Sequence, residues 1–103
     1  MPRRLVYAPL ARDDLVAIRR WLTQPGSGPP ARRRLAAIRR AITLLRTHPC
    51  RYPVGQHTGV RELPCGRGYR ALYDVQPDTG RDETAGDVRI LRVFGPGQSR
   101  DRF

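Results

Sequence analysis

The sequence contains no lysine, so all 20 of its basic residues are arginine, and with nine acids the formal net charge is +11. A GC-rich coding bias is sufficient to explain the missing lysine. Arginine still differs from lysine in its chemistry, because its guanidinium grips phosphate or carboxylate through two hydrogen bonds and stacks on bases. The charge predicts an acidic partner: nucleic acid, an anionic membrane or an acidic protein segment.

Acidic residues are especially scarce in the first part of the chain. Residues 1–60 contain twelve arginines against only Asp13 and Asp14, whereas residues 61–103 contain eight arginines against seven acids. We therefore expect the excess positive charge to lie on the N-terminal half.

Long apolar runs are also missing. No window approaches the roughly 20 apolar residues that cross a bilayer, and the N-terminus lacks the pattern of a signal peptide. We therefore expect a soluble, cytoplasmic protein that does not bind membranes.

The motifs of metal, cofactor and nucleophilic chemistry are absent. Cys50 and Cys65 stand fifteen positions apart and form no CxxC pair, and His48 and His57 do not have the spacing of metal ligands. There is no HExxH, no phosphate-binding glycine loop and no helical carboxylate pair. The sequence predicts no metal and no cofactor.

Two amphipathic helices are predicted in the N-terminal half. After a short β-type run at Leu5, Val6 and Tyr7, Pro9 can open a helix that ends near Thr23, with Asp13 and Asp14 near its positive end. Residues 24–30 read as a loop, and Pro30 opens a second helix to about Thr47. Their apolar positions recur at helical spacing: Ala11, Leu15, Ile18 and Leu22, then Leu35, Ile38, Ile42 and Leu45.

Three strands are predicted in the C-terminal half, at 60–63, 69–75 and 87–94, with a turn at 64–68 and a polar connection at 76–86 whose tip is mobile. The 103 residues fit one domain. We predict an α+β fold of order β-α-α-β-β-β, in which a helical hairpin at about 9–47 packs on a mostly antiparallel sheet at about 60–94, followed by a tail at 95–103.

The strands present arginines among apolar positions, chiefly Arg61, Arg70 and Arg92. Such a sheet can give one face to a core and hold cations on the other. Arginine stabilises phosphate charge but is a poor proton shuttle, since its pKa exceeds 12, so binding is a safer expectation than catalysis. Arg67 in the turn and Arg100 in the tail are expected to be solvated.

Four segments of the chain resemble the RelE/ParE superfamily of type II toxin–antitoxin toxins. They are YAPLARDDLVAIRRWL, RRRLAAIRRAITLLRTHP, GVRELPCGRGYRALYDV and VRILRVFGPGQSRDR. The resemblance implies a bacterial growth-inhibiting toxin in a hetero-oligomer with a co-expressed antitoxin, whose acidic, partly disordered C-terminal segment wraps and silences it. ParE-like members poison DNA gyrase, whereas RelE-like members cleave mRNA on the ribosome.

The residues favour the ParE-like branch. Arg61 and Arg70 match two basic positions of the RelE-like ribonucleases, but Leu63 occupies a third, the residues after the last strand are Gly95 to Gln98, and Phe103 replaces the terminal tyrosine. Without these groups, attack by a 2'-hydroxyl lacks a proton carrier and part of its charge stabilisation.

Three hypotheses remain open from the sequence. The first is a gyrase-directed toxin whose antitoxin or target contacts Arg61, Arg70, Arg92, Arg39 and Arg40. The second is a ribosome-dependent ribonuclease that uses Arg61, Arg70 and Arg100. The third is a non-toxic module that binds nucleic acid through the arginines of the second helix.

Overall fold

A computed structural model describes residues 3–98 of the chain. Two helices follow a short first strand, and three longer strands come after them. The elements are β1 Leu5–Tyr7, α1 Pro9–Leu22, α2 Gly28–Thr43, a 3₁₀ turn Leu44–Arg46, β2 Arg61–Gly66, β3 Tyr69–Gln76 and β4 Asp87–Phe94. This confirms the predicted α+β order. Neither helix in residues 3–98 is long and apolar enough to cross a membrane.

The second helix begins two residues earlier than predicted. It starts at Gly28 and not at Pro30, so that both Pro29 and Pro30 lie in its first turn. The first turn tolerates them because its N–H groups have no partner within the helix. The helix ends at Thr43 and tightens into the 3₁₀ turn before His48.

The four strands form one mixed sheet in the order β1-β4-β3-β2. β1 runs parallel to β4, and the other two pairs are antiparallel. β4 has the predicted bounds, but β2 begins at Arg61 and continues to Gly66 through the predicted turn. Pro64 is compatible with this because β2 is an edge strand, where a missing N–H breaks no ladder hydrogen bond.

The main core lies between the helices and one face of the sheet, which we call the helix face. Side chains of alternate β3 positions from Tyr69 to Val75 meet the apolar stripes of both helices there, as predicted. The largest fully buried members are Tyr73, Ile38, Ile42, Leu45, Leu63 and Ile90. A small second cluster of Val60, Leu72 and Phe94 lies on the opposite face, which we call the outer face.

The long connection between β3 and β4, whose tip the sequence predicts to be mobile, is hydrogen-bonded to the side chain of Arg3 and to the backbone of Cys50. Arg3 donates to the carbonyl oxygens of Asp82, Ala85 and Gly86 at 2.6–3.0 Å. From the opposite side, Asp82 accepts the N–H of Cys50 at 2.8 Å. These bonds fasten the connection to the N-terminus and to the segment after α2.

Asp13 and Asp14 do not stand at the positive end of α1 as predicted, because the first helical turn holds no acid. Asp14 serves a different purpose. Its carboxylate accepts the backbone N–H of Val93 at 2.9 Å, on the part of β4 that β1 is too short to cover. A helix side chain thus satisfies a donor at the strand edge, where an unpaired buried N–H would be costly.

Candidate cationic interface

Arg70 stands on the outer face of the sheet. It is opposite Phe94 in the β3–β4 register, and residues paired in an antiparallel ladder share a face. Its side chain is half-buried, and among residues 3–98 its guanidinium has no hydrogen-bond or ion-pair partner. Arg70 is therefore a cation available to an external anion.

Arg92 shares the outer face with Arg70 but already has a partner. Its Nε and Nη2 donate to the two carboxylate oxygens of Asp14 at 2.7 and 3.0 Å, and its guanidinium lies 4.9 Å from the ring centre of Phe94. The hydrogen bonds to Asp14 raise the pKa of Arg92. This arginine joins α1 to β4 and covers an aromatic ring. Because Asp14 already neutralises its charge, Arg92 is a weak binding site for an external anion.

Arg61 lies on the other face of the sheet. It is paired with Tyr73, whose side chain belongs to the main core, so both project from the helix face. Its Nε and Nη2 donate to Asp78 at 2.9 and 3.0 Å, and its Nη1 donates to the carbonyl oxygen of Tyr52 at 2.5 Å. Its side chain is 11% exposed.

The pairing between Arg61 and Asp78 shifts both groups toward their charged forms. The hydrogen bond from Arg61 lowers the pKa of Asp78, and the same bond raises the pKa of Arg61. Beside them, burial and the Asp78 charge raise the pKa of the Cys50 thiol, so this cysteine is not an activated nucleophile. The cluster holds the fold together, and Arg61 is its central cation.

Two of the predicted contact residues, Arg39 and Arg40, lie on α2. Arg39 and Arg40 are exposed on α2, and within residues 3–98 neither side chain makes an ion pair or hydrogen bond. They lie on the helix side of the sheet, away from Arg70. The five predicted contact residues therefore do not form one patch, and Arg100 lies outside the described residues.

A further group of arginines, two from the second helix and one from the β2–β3 turn, lines a shallow groove between these elements. We call it the arginine groove. It has a volume of about 230 Å³, and Arg33, Arg34 and Arg67 line it together with Pro30, Ala37 and Gly66. The clue available in the sequence was the RRR run, but its convergence with Arg67 depends on how α2 packs on β2.

Residues 3–98 contain no group of three or more His, Cys, Asp or Glu side chains that could hold a metal ion. Leu63, at the third ribonuclease position, is fully buried. The free functional groups of the described surface are chiefly guanidinium cations, which bind anions.

Comparisons with known proteins agree with this fold. Residues 5–98 match the family described as the ParE toxin of type II toxin–antitoxin system, parDE. A solved structure described as the chromosomal ParDE TA system from P. aeruginosa is similar, with a TM-score of 0.69 and 20% identity over 91% of this chain and 96% of that one. A search of curated proteins gave no significant match. The family match spans nearly the whole chain, and the protein belongs to the ParE toxin family of type II toxin–antitoxin systems.

Proposed function

We propose that this toxin inhibits DNA gyrase by protein contact and is neutralised by a co-expressed antitoxin. The observation that carries the proposal is the placement of Arg61 and Arg70 on opposite faces of the sheet. A ribonuclease of the RelE type would need both cations around one phosphodiester. Separated by the sheet, they cannot flank a single phosphate.

The tyrosines of the GYRALY motif are equally unsuited to proton transfer. Tyr73 is fully buried and donates its hydroxyl to the carbonyl oxygen of Pro49 at 2.7 Å, and burial raises its pKa. Tyr69 is only 6% exposed. A general acid or base must reach the substrate, and burial prevents both tyrosines from doing so.

The cellular target is tested by measuring what happens to DNA and to mRNA when the toxin arrests growth. The chain is expressed from an inducible promoter, and plasmid supercoiling, DNA breaks and message integrity are followed over the first minutes. We expect loss of negative supercoiling or gyrase-dependent DNA breaks while mRNA stays intact. The purified chain should inhibit supercoiling by purified gyrase. Rapid ribosome-dependent cleavage of message would contradict the proposal.

A variant of Arg70 distinguishes gyrase inhibition from ribonuclease activity. Among the described residues, Arg70 matches the ribonuclease pattern and has a guanidinium without a partner. Arg70→Ala is compared with Arg81→Ala, which removes an equal charge from an exposed side chain in the β3–β4 connection. If message cleavage were the activity, only Arg70→Ala would abolish it. For a gyrase inhibitor, neither variant should change mRNA integrity, and Arg70→Ala should act only through gyrase affinity.

The antitoxin surface is proposed to include Arg39, Arg40 and Arg70, where an acidic segment finds cations without internal partners. Each exposed ion pair contributes only about 0–1 kcal/mol, so apolar contacts must supply most of the affinity. Leu44 and Val54, which are 50% and 48% exposed, offer such contacts.

High salt distinguishes the contribution of ion pairs to antitoxin binding from that of apolar contacts. At about 1 M NaCl the Debye length is about 3 Å, and exposed ion pairs are largely screened. We expect the toxin–antitoxin complex to persist on gel filtration under this condition. Complete dissociation at high salt would show that the ion pairs, and not apolar burial, hold the complex.

A further inference from the structure

The arginine groove holds three cations that the fold itself does not use. Among residues 3–98, the guanidinium groups of Arg33, Arg34 and Arg67 have no hydrogen-bond or ion-pair partner, and no carboxylate is among the described residues that line the groove. Like charges held close together repel each other, which disfavours the free protein slightly. An anion bound between them would relieve that repulsion.

Arg67 occupies a backbone position that arginine rarely adopts. Its φ is +54°, and it is the only residue other than glycine with a positive φ in the described chain. With Gly68 at +83°, it forms the tip of the β2–β3 hairpin, where asparagine, aspartate or glycine is usual. A bulky residue in this conformation costs about 1–2 kcal/mol. A strained position that keeps a cation facing a groove points to a use for its side chain.

The chain's single tryptophan stands at the end of the same surface. Trp21 is 65% exposed at the last turn of α1. It lines a second hollow of about 250 Å³, which shares Pro30 and Arg34 with the arginine groove. The two hollows are therefore adjacent, and the exposed ring of Trp21 lies in a hollow that Arg34 also lines.

We propose that these two adjacent hollows together bind single-stranded nucleic acid, with Arg33, Arg34 and Arg67 on its phosphates and Trp21 stacked on a base. Aromatic side chains beside a cationic groove are how proteins hold single strands without sequence preference. A protein partner fits less well, because the groove is shallow, lined by arginines, and offers little apolar depth for an anchoring side chain. At about 230 Å³ it is also below the usual range for a small-molecule pocket.

The single tryptophan gives the proposal a direct readout. The purified chain is titrated with a 12-nucleotide oligothymidylate while its fluorescence is followed at 50 and 200 mM NaCl. Stacking on Trp21 should quench the emission. Three phosphate contacts predict a slope of about −2 in log affinity against log salt, so the affinity should fall roughly 20-fold between the two conditions.

Arg67→Asn is the most informative variant, because asparagine accepts a positive φ more readily than arginine does. We expect this variant to be at least as stable as the wild type and yet to bind more weakly, with its salt-dependent loss reduced to roughly 7-fold as one contact disappears. Arg81→Asn is the control of equal charge on an exposed residue outside the groove, and it should leave the slope unchanged. Equal effects of the two variants, or a destabilised Arg67→Asn, would overturn the proposal.

Two more comparisons identify the ligand class. Trp21→Ala should weaken binding of a labelled oligonucleotide by roughly 5- to 150-fold, the loss of one stacked base. A duplex of the same length should not quench Trp21, because its bases are already stacked. Equal quenching by the duplex, or by a polyglutamate of equal charge, would refute single-strand binding, and polyglutamate quenching would assign the surface to an acidic protein. None of these measurements requires gyrase, so their outcome is independent of the proposed target.

Discussion

Replacing Asp14 tests how much its carboxylate stabilises the fold at the edge of the sheet. Asp14→Ala removes both hydrogen bonds from Arg92 and the one from the backbone N–H of Val93. Val93 is only 1% exposed, so its N–H is left with little access to water, whereas the Arg92 side chain, at 22%, regains some hydration. An unsatisfied buried donor costs about 1–3 kcal/mol and a bond to a charged group contributes about 1.5–3 kcal/mol. Because these contributions overlap, we expect a net loss of about 2–4 kcal/mol.

Urea unfolding followed by circular dichroism measures this loss. With a slope of about 2 kcal/mol/M, the middle of the usual range for urea, the midpoint should fall by about 1–2 M. Asp13→Asn is the matched control, because Asp13 is an exposed neighbour on the same helix and should change stability by less than about 0.5 kcal/mol. Asp14→Asn should fall between the two, since its amide oxygen can still accept the Val93 N–H. If Asp14→Ala were no more destabilising than Asp13→Asn, the Asp14 carboxylate would not stabilise the edge of β4.

Three further outcomes are expected. Tyr73→Phe should cost about 1–2 kcal/mol in urea unfolding, because it leaves the buried carbonyl of Pro49 without its partner. Asp78, whose pKa Arg61 lowers in the folded state, should stabilise the wild type over Asp78→Asn above the ordinary carboxyl value of 3.8, and this advantage should vanish as the pH falls through the folded value. Cys65, whose pKa burial raises to about 12, should react with a thiol reagent at pH 8 only after unfolding.

The first two of these outcomes each have an internal comparison. Tyr52→Phe removes a hydroxyl that has no hydrogen bond among the described residues and should be close to neutral. Glu83→Gln removes an exposed carboxylate of the same connection and should change the unfolding free energy at pH 7 by less than about 0.5 kcal/mol. A pH profile of Asp78→Asn that matches the wild type would contradict the Arg61–Asp78 pairing, and rapid native labelling of Cys65 would contradict its burial.

The helices and β4 were predictable because their signals are local. Periodic apolar residues in α1 and α2 and the run at Asp87–Phe94 need no knowledge of distant contacts. The face on which Arg61 lies was not predictable, since it depends on the β2–β3 register, and that register shifts between Pro64 and Gly66. A one-residue shift in a strand exchanges its two faces.

The partners of the arginines were likewise hidden from the sequence. Arg92 meets Asp14 across 78 positions of the chain, and Arg3 reaches the β3–β4 connection across about 80. No local pattern distinguishes such an arginine from a solvated one. The composition correctly indicated a cationic surface, but three-dimensional packing decides which cations are left for a partner.

Pro64 restricts the way in which another chain can approach this toxin. The N–H of Glu62 points away from β3, toward the carbonyl oxygen of Pro53. Two residues further along the edge strand, the nitrogen of Pro64 faces the same side and carries no hydrogen. An incoming strand would find the Glu62 donor already bonded and no donor at Pro64, a pattern that disfavours edge-to-edge pairing. A partner that reaches this side of the molecule must therefore engage side chains and not extend the sheet past Pro64.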